Sequence, residues 1–316
     1  MSEIRLLNEA DVRSMLDIDA MIDALADGFI ALSEGKVVAP PRAGVEVPHG
    51  VLLSMPGWVP GKSISVKLVA AFHDNAKYGL PGHQALICLF DSETGTPLSV
   101  MDGTGITALR TAGGAAVATR LLAREDSKTM AIIGAGVQGR SHLQVVTRVR
   151  NIEEIRIASL IPGDAERLAA EDPRATGYST YEEAVRGADI VCLCTSSSTP
   201  VIELGWLSPG THVTSVGYAP PGGELAREIA ENSRLYVESA MAFADPPAGC
   251  AELKGMPASA AAELGEGLLG SKPGRQSAEE LTVYKAMGHA MEDLVAAQIV
   301  YDLATAAGAG QLFKFR

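Results

Sequence analysis

The feature that most constrains the fold is a glycine-rich loop near the middle of the chain, AIIGAGVQGRSHLQVV at residues 131–146. Gly134, Gly136 and Gly139 have the spacing G-x-G-x-x-G, after an apolar strand and at the start of a helix. The first glycine permits a tight turn, the second lets a pyrophosphate approach, and the third lets the helix pack on the strand. The helix N-terminus offers free N–H groups to phosphates. The loop predicts a dinucleotide site; the alternative is a glycine-rich turn without a ligand.

The segments around this loop alternate between strands and helices. Strands are predicted in TMAIIG, EEIRIAS, DIVCLCTS, HVTSVGY and RLYVES, and helices in TALRTAGGAAVATRLLA, GRSHLQVVTRV, DAERLAAE and YEEAVRG. This alternation is typical of βαβ units, whose parallel sheet is covered by helices on both faces. The sequence therefore predicts an α/β fold with a Rossmann-type doubly wound parallel sheet.

The first third of the chain has a different pattern, and 316 residues exceed one ordinary core. Residues 17–35 have apolar positions at helical spacing and end at a glycine. Strand-like segments follow in VEVPHGVLLSMPG, SISVKLVAAFH and HQALICLFDSETGTPLSVMDG, with DSETGT as a hairpin turn. We therefore expect a second, mixed α/β domain with antiparallel strands.

The C-terminal segment SAEELTVYKAMGHAMEDLVAAQIVYDLATAAG is predicted to form one long helix. Ser277 and Glu280 have capping-box spacing at its start, and Gly288 could break or bend it. A helix this late can return to the first domain and make that domain discontinuous. The expected domains are residues 1–113, rejoined by 289–316, and a dinucleotide-binding domain at residues 114–288.

Charge and cysteine usage argue against several classes of protein. The net charge is −12, from 26 basic and 38 acidic residues, and an acidic surface repels phosphate backbones, so no nucleic-acid partner is expected. No apolar run reaches about 18 residues, so no membrane span is expected. The absence of a signal core and of a disulfide framework favours the cytoplasm. Cys192 and Cys194 are interpreted as core residues of a buried strand, and no metal is predicted.

The choice between NAD and NADP should be made at the end of the second strand of the Rossmann sheet. An acid there indicates NAD, and a nearby arginine indicates NADP. The strand IRIAS ends at Ser159, with neither type beside it, and Asp164 and Glu166 are assigned to the next helix. The predicted cofactor is therefore NAD or NADP, and Ser159 is a candidate contact for either.

Eight segments that occur in one order carry a resemblance to a known family. They are MPG at 55–57, SVKLVAAFHDN, GLPGHQA, TALRTAG, the glycine loop, ADIVCLCTSSSTPV, GWLSPGTHVTSVG and GRQSAEELTVYKAMGHAMEDLVAA. Over residues 40–305 the chain resembles the ornithine cyclodeaminase/mu-crystallin family. The resemblance implies a Rossmann domain beside a mixed domain built from both chain ends, which also forms a homodimer. It implies an NAD(P)-dependent enzyme among cyclodeaminases, alanine dehydrogenases and reductases of cyclic imines and ketimines.

The substrate-binding residues are expected among the basic side chains. An α-amino or α-imino acid carries a carboxylate, which a guanidinium binds with two parallel hydrogen bonds. Arg42, in APPRAG, and Arg110, in TALRTA, match the family's two carboxylate-binding arginines. The alternative for each is a surface arginine or a structural salt bridge.

Lys67 lies in the strand segment SISVKLVA. Alternation places Ile64, Val66 and Leu68 on one face, and Lys67 on the other with the two serines. A lysine in this position could point to solvent. The resemblance instead places it against the substrate as the catalytic residue, where a lowered pKa would let it exchange a proton with the substrate nitrogen.

The resemblance also implies a set of cofactor contacts in the glycine loop and at the strand ends. Val137 and Gln138 would offer backbone contacts to the phosphates, and Thr195 would reach the cofactor from the carboxyl end of its strand. The predicted cofactor-binding residues are Arg110, Thr111, Gly134, Gly136, Val137, Gln138, Gly139, Ser159, Thr195 and Gly217.

Three positions depart from the family's pattern near the expected reaction centre. Cyclodeaminases carry a catalytic aspartate after the strand that ends in V-G, and this chain has Ala219 there. The nearest carboxylate, Glu224, matches a different position of the family. Gly82 replaces the threonine after G-L-P, and Ala286 replaces the serine of the closing motif.

The missing aspartate favours a simple hydride transfer. Alanine moves no proton, which harms multi-step cyclodeamination more than reduction of an imine. We expect hydride transfer at a C–N bond of a small amino or imino acid, as an imine or ketimine reductase or an amino-acid dehydrogenase. The alternatives are an ornithine cyclodeaminase, which forms proline and ammonia, and an NADPH-dependent ligand-binding protein without turnover. His83 could reach the substrate or nicotinamide, but it and His73 are interpreted as ordinary structural residues.

Overall fold

The computed structural model describes residues 3–314, without the side chains of His73 and Ala76. Its strands are β1 (Glu3–Leu7), β2 (Ala43–Val47), β3 (Gly50–Trp58), β4 (Ile64–Ala71), β5 (His83–Phe90), β6 (Pro97–Asp102), β7 (Thr129–Ile133), β8 (Glu154–Ala158), β9 (Ala175–Tyr178), β10 (Ile190–Leu193), β11 (His212–Ser215), β12 (Arg234–Val237), β13 (Ala261–Glu263), β14 (Thr282–Lys285) and β15 (Gln311–Lys314). Its α-helices are α1 (Glu9–Met15), α2 (Ile18–Ser33), α3 (Gly103–Leu122), α4 (Val137–Val145), α5 (Asp164–Ala169), α6 (Tyr181–Val185), α7 (Arg227–Glu231), α8 (Leu264–Leu268) and α9 (Ala290–Ala307).

The chain divides into two compact units. Unit 1 comprises Met1–Arg110 and His289–Arg316, and unit 2 comprises Thr111–Gly288. The first division falls within α3, and the second falls directly before the last helix. Unit 1 is therefore assembled from both ends of the chain.

Unit 1 is a mixed sheet with helices packed on it. The strand order is β15-β1-β6-β5-β4-β3-β2, and β2 to β6 form the antiparallel meander predicted from the sequence. The hairpin turn in DSETGT is confirmed, because the amide of Asp91 donates to the carbonyl of Thr96 at 2.9 Å. The predicted helix is confirmed as α2, whose N-cap Asp17 accepts from the amide of Ala20. Helix α9 packs on β3, β4 and β5 and also contacts α2.

Unit 2 is an all-parallel sheet in the order β13-β12-β14-β11-β10-β7-β8-β9. The predicted doubly wound α/β fold is thus confirmed. After β7 the chain adds β8 and β9 on one side of it. The next strand, β10, pairs with the other side of β7. The order reverses between β7 and β10, and in open parallel sheets ligands bind outside the carboxyl ends of the strands at such a point. The core there is aliphatic and fully buried at Ile133, Leu193 and Val213.

The prediction of one long C-terminal helix from Ser277 is wrong. Ser277 does accept a hydrogen bond from the amide of Glu280, as an N-cap would, but the chain then enters β14 instead of a helix. Strand β14 is buried and pairs on both sides, with β11 and β12, so the sheet outweighs the local helical pattern. Gly288 has φ 77, a left-handed conformation that ends this segment before α9 begins.

Several short elements were not predicted from the sequence. Strands β15, β9 and β13 lie at sheet edges, and β1 lies beside β15. They are partly or fully exposed, so they lack the continuous apolar run that marks the equally short buried strands β10 and β11 in the sequence. Their pairing depends on neighbours that are distant in sequence.

The helices were compared with the length and apolar character of a membrane span, which the sequence does not predict for this chain. Within residues 3–314, no helix combines the length and the apolar character that crossing a bilayer requires.

Candidate active site

The glycine loop of unit 2 connects β7 to α4 at the point where the strand order reverses. Gly134 has φ 102, and a Cβ at this position would lie 2.6 Å from the carbonyl oxygen of Cys194. Gly139 is packed against the Gly134 carbonyl so closely that a side chain cannot be accommodated. Two of the three glycines are thus required by the fold of the loop itself.

Gly136 is different, because a Cβ there would meet no protein atom within 4 Å. It is the N-cap of α4, has an ordinary negative φ and makes no side-chain cap hydrogen bond. Val137 and Gln138 follow in the first turn, and Val137 is 67% exposed. The open surface beside Gly136 and the amides of an uncapped helix N-terminus fit a dinucleotide pyrophosphate.

The carboxyl ends of β10 and β11 are held by one buried carboxylate, Glu224. One oxygen accepts from the amide and the hydroxyl of Thr195, both at 2.7 Å. The other accepts from Ser215 Oγ at 3.0 Å and from the amides of Val216 and Gly217 at 3.1 and 2.6 Å. Two predicted cofactor contacts, Thr195 and Gly217, are thus brought together by a residue whose position in this network was not recognised from the sequence.

Lys285, at the end of β14, also contacts the segment that follows β11. Its side chain is fully buried, donates to the carbonyl of Gly217 at 2.6 Å and lies 2.9 Å from Glu252 Oε1. Sequence reasoning missed this pair because it placed Lys285 in a helix. A lysine at the end of the TVYK strand is the signal that could have identified it.

Two further predicted cofactor residues, Ser159 and Thr111, lie on or next to other elements. Ser159 directly follows β8, and its hydroxyl accepts from the amide of Ile161 at 3.3 Å. Asp164 begins α5, as predicted, and forms an ion pair with Arg167. Thr111 follows Arg110 in α3 and is buried.

A cluster of four charged side chains is buried in unit 1. Lys67 is 2% exposed, and its Nζ lies 2.8 Å from both carboxylate oxygens of Asp293. Arg110 donates through Nε to Asp293 at 2.8 Å and through Nη1 to Glu292 at 3.0 Å. Glu292 also accepts from the amide of His289 at 2.5 Å. The structure therefore brings together two of the three predicted substrate residues and adds two carboxylates.

Burial and the neighbouring charges set the protonation of this cluster. Burial and, less strongly, the positive charge of Arg110 lower the pKa of Lys67 to about 8, against the opposing effect of Asp293. Burial by itself would raise the pKa of Asp293, but Arg110 and Lys67 hold it below its usual value. Lys67 thus titrates close to neutral pH, where a general acid or base is effective.

Asp293 and Glu292 were not predicted from the sequence, because the expected contacts to a substrate carboxylate involve only basic residues. The available signal was the adjacent acid pair in GHAMEDLVAAQIV, an otherwise apolar stretch. Acids in the first turn of α9 suit the helix dipole, and burial then requires cationic partners.

Strand pairing explains how Lys67 reaches this cluster. Lys67 pairs with Met55 on β3 and with Ile87 on β5, and all three are buried. The predicted alternation is confirmed, and α9 covers the face that carries Lys67, so Leu68 lies on the opposite face, 37% exposed.

Arg42 directly precedes β2 and lies outside the residues that pair with β3. Strand β2 begins at the next residue, Ala43, which pairs with Ser54, so continuing this register by one residue places Arg42 opposite Met55. Arg42 and Lys67 are then two strands apart, roughly 10 Å between backbones. Arg42 is half-buried.

The three positions that depart from the family's pattern lie in loops or at a strand end. Ala219 follows β11 and makes an isolated bridge with Gly222, and Ala286 directly follows β14. Gly82 precedes β5, and its carbonyl accepts from the amide of Phe72 at 2.8 Å. His83 begins β5 and is exposed, and the side chain of His73 lies outside the described residues.

Three of the four cysteines, Cys192, Cys194 and Cys250, are buried. Burial raises the pKa of the Cys192 thiol to about 12 and that of Cys194 well above its usual value. Within residues 3–314, no group of three or more His, Cys, Asp and Glu side chains is arranged to hold a metal ion.

Comparison with known proteins identifies the family to which this architecture belongs. The model of the ornithine cyclodeaminase/mu-crystallin family matches residues 3–308. The chain belongs to this family. A relative within the family, ketimine reductase mu-crystallin of Mus musculus, is 38% identical over 288 residues, covering 89% of this chain and 90% of its own.

Two solved structures are similar to this fold over nearly the whole chain. Thermococcus litoralis Δ1-pyrroline-2-carboxylate reductase, in complex with NADH and L-proline, has a TM-score of 0.91 and 34% identity, covering 98% of this chain and 99% of its own. An archaeal alanine dehydrogenase dimer with bound NAD has a TM-score of 0.89 and 30% identity, covering all of both chains. The family assignment confirms the resemblance drawn from the sequence motifs.

Proposed function

We propose that this protein is an NAD(P)H-dependent reductase of small imines or ketimines that carry an α-carboxylate. The observation that carries the proposal is the buried cluster in which Lys67 and Arg110 share Asp293. A cation with a pKa of about 8 suits proton transfer to nitrogen, and a guanidinium suits a carboxylate. The similarity to a ketimine reductase and to a pyrroline-2-carboxylate reductase bound to NADH and L-proline supports the same chemistry.

In this proposal, unit 2 binds the dinucleotide and unit 1 binds the substrate, close to the expected domains 114–288 and 1–113 with 289–316. Gly134, Gly136 and Gly139 shape the phosphate site, with the amides of Val137 and Gln138 as donors. Further contacts come from Arg110, Thr111, Ser159, Thr195 and Gly217. Ser159 offers a neutral hydroxyl to either NAD or NADP, so both remain candidate cofactors.

Reduction of an imine adds a hydride to carbon and a proton to nitrogen. Bound nicotinamide supplies the hydride. Lys67 delivers the proton when the imine is neutral and attracts the carboxylate when the imine is already protonated. Arg42 and Arg110 hold the carboxylate, which fixes the approach of the C=N bond. This single step needs no carboxylate at Ala219, where the family's cyclodeaminases have their aspartate.

We also propose that unit 1 forms a homodimer through the sheet face opposite α9. This face carries exposed apolar side chains in cross-strand register, because Val45 pairs with Leu52 and Leu68 pairs with Leu86. An exposed apolar surface on a sheet is typical of an association site. The archaeal alanine dehydrogenase to which the fold is similar is a dimer.

The activity is tested by following NADH and NADPH absorbance with a panel of substrates. The panel contains five- and six-membered cyclic imines with a 2-carboxylate, pyruvate with ammonia, and ornithine. We expect turnover of the cyclic imines. Conversion of ornithine to proline by a protein that ignores cyclic imines would contradict the proposal, and thermal protection by cofactor without any turnover would indicate a binding protein.

The substrate residues are tested with Arg42. Arg42→Ala should raise KM for the imine about tenfold or more with little loss of stability, because Arg42 is only half-buried. Arg42→Lys should recover only part of the affinity, since an ammonium lacks the two-pronged geometry. Equal KM values for all three proteins would remove Arg42 from the site.

A further inference from the structure

Asp293 contacts two cations of the proposed substrate site at once. Its Oδ1 accepts from Nζ of Lys67 and from Nε of Arg110, both at 2.8 Å. Its other oxygen, Oδ2, also lies 2.8 Å from Nζ of Lys67. Because both hydrogen bonds converge on Oδ1, the lysine and the arginine share one acceptor atom. The carboxylate itself is fully buried in the first turn of α9.

The surroundings of Lys67 would otherwise favour the neutral amine. Its neighbours in the sheet row are the apolar Met55 and Ile87, and its side chain is out of contact with bulk water at 2% exposure. Burial is the largest influence on the pKa of Lys67 and lowers it, and the positive charge of Arg110 acts in the same direction. Among the groups that raise the pKa, Asp293 acts most strongly, by its charge and by its hydrogen bond.

Glu292 adjoins Asp293 in the sequence but has a different partner. Its Oε2 lies 3.0 Å from Nη1 of Arg110 and accepts from the amide of His289. Its effect on the pKa of Lys67 is weaker than that of Asp293 or Arg110. Arg110 therefore keeps one carboxylate when Asp293 is neutralised, whereas Lys67 loses the negative charge 2.8 Å from its Nζ.

We propose that Asp293 is a positioning residue. It keeps Lys67 as an ammonium ion and holds Lys67 and Arg110 close enough to act on the same substrate molecule. The proposal rests on the proposed imine reduction, in which Lys67 acts in its charged form. Asp293 contacts neither carbon nor nitrogen of the reacting bond in this scheme. It acts through Lys67, and its loss should change the pH range of activity more than the fold.

The test compares the isosteric variants Asp293→Asn and Glu292→Gln. The measurement is the pH dependence of kcat/KM for NADH-dependent reduction of Δ1-pyrroline-2-carboxylate, or of NADPH if that is the preferred cofactor. Wild-type activity should fall as pH rises through about 8, the pKa of Lys67. In Asp293→Asn this limb should move to lower pH by about one unit or more. In Glu292→Gln it should move by clearly less, and equal shifts or no shift would overturn the proposal.

A second measurement does not require turnover. The 15N resonance of Lys67 Nζ, assigned by its loss in Lys67→Met, is titrated in protein without substrate or cofactor. A lower midpoint in Asp293→Asn than in Glu292→Gln is expected, and the same midpoint would contradict the proposal. If wild-type protein reduces no imine, the proposed function fails while this titration still decides the role of Asp293.

Asp293→Glu covers the case in which Asp293→Asn does not fold. The longer side chain retains the charge but displaces both cations. We expect the pH limb to stay within about half a unit of wild type while KM rises. A limb that moved as far as the charge-removing variant predicts would contradict the electrostatic role.

Discussion

Glu224 accepts hydrogen bonds from both the amide and the hydroxyl of Thr195, each 2.7 Å long. Its other oxygen accepts from Gly217 at 2.6 Å, so this buried carboxylate links the carboxyl ends of β10 and β11. Ligands of open parallel sheets bind at this edge. An ionised carboxylate only accepts hydrogen bonds, which suits a position surrounded by donors.

Glu224→Gln should weaken both the fold and dinucleotide binding. The amide nitrogen introduced by the substitution faces donors, and an unmade buried hydrogen bond costs about 1–3 kcal/mol. We expect a lower free energy of unfolding and a higher Kd for NADH, measured by denaturant titration and by nucleotide fluorescence. Glu228→Gln, on the exposed side of α7, is the matched control. Wild-type NADH affinity in Glu224→Gln would show that binding does not depend on this carboxylate.

Gly136→Ala should separate cofactor binding from folding. Its Cβ would meet no protein atom within 4 Å, and its φ of −80° suits alanine, so the free energy of unfolding should change by less than about 1 kcal/mol. The same methyl group would occupy space needed for the pyrophosphate. We expect a loss of NADH affinity of at least about tenfold, measured by calorimetry.

Gly134→Ala is the contrasting variant. Its φ of 102 and the Cys194 carbonyl 2.6 Å from the added Cβ should destabilise the protein itself. A thermal scan should therefore show a lowered Tm for Gly134→Ala and a nearly unchanged Tm for Gly136→Ala. Tight NADH binding by Gly136→Ala would contradict the proposed phosphate site.

Charges on the exposed face of the unit 1 sheet should prevent dimerisation. Leu68 and Leu86 are cross-strand partners that are 37% and 51% exposed, so lysines fit there without disturbing the buried face. By light scattering, we expect the wild type to be a dimer and the double variant Leu68→Lys/Leu86→Lys to be a folded monomer. Leu269→Lys, at an exposed apolar position after α8, should remain dimeric. A dimeric double variant would place the interface elsewhere.

Two buried histidines should make the protein less stable in mild acid. Burial lowers the pKa of His142 to about 4 and that of His212 to about 3. Each side chain is neutral in the folded protein, whereas the unfolded chain takes up protons below its ordinary pKa of about 6.5. Their stabilising contribution is therefore complete above about pH 6.5 and is lost as pH falls toward the folded values.

The expected slope is about 1.4 kcal/mol per pH unit for each histidine that titrates in the unfolded chain alone. Denaturant unfolding at several pH values checks it. His142→Leu should reduce the slope between about pH 6 and about pH 4.5, whatever its effect on stability at neutral pH. An unchanged slope would show that His142 does not contribute to the acid sensitivity.

The parallel sheet of unit 2 was predictable because each strand–helix pair is specified by residues that are close together in the sequence. The glycine spacing after TMAII and the alternation of apolar strands with helices specify βα units one at a time. The C-terminal segment shows where local information fails. TVYK was predicted to be helical because of the capping-box sequence beside it, although Thr, Val and Tyr favour strands, and in the sheet it pairs with both β11 and β12.

The sequence by itself determined the family, the sheet type and the candidate cations, because these follow from short motifs and residue chemistry. Tertiary structure decided which carboxylates meet those cations. Lys67 and Asp293 are separated by more than two hundred residues, yet burial under α9 makes them 2.8 Å partners. Glu224 likewise finds its hydrogen-bond donors only because β10 and β11 end side by side in the sheet. Charges buried from water require partners, and the packing of distant segments selects them.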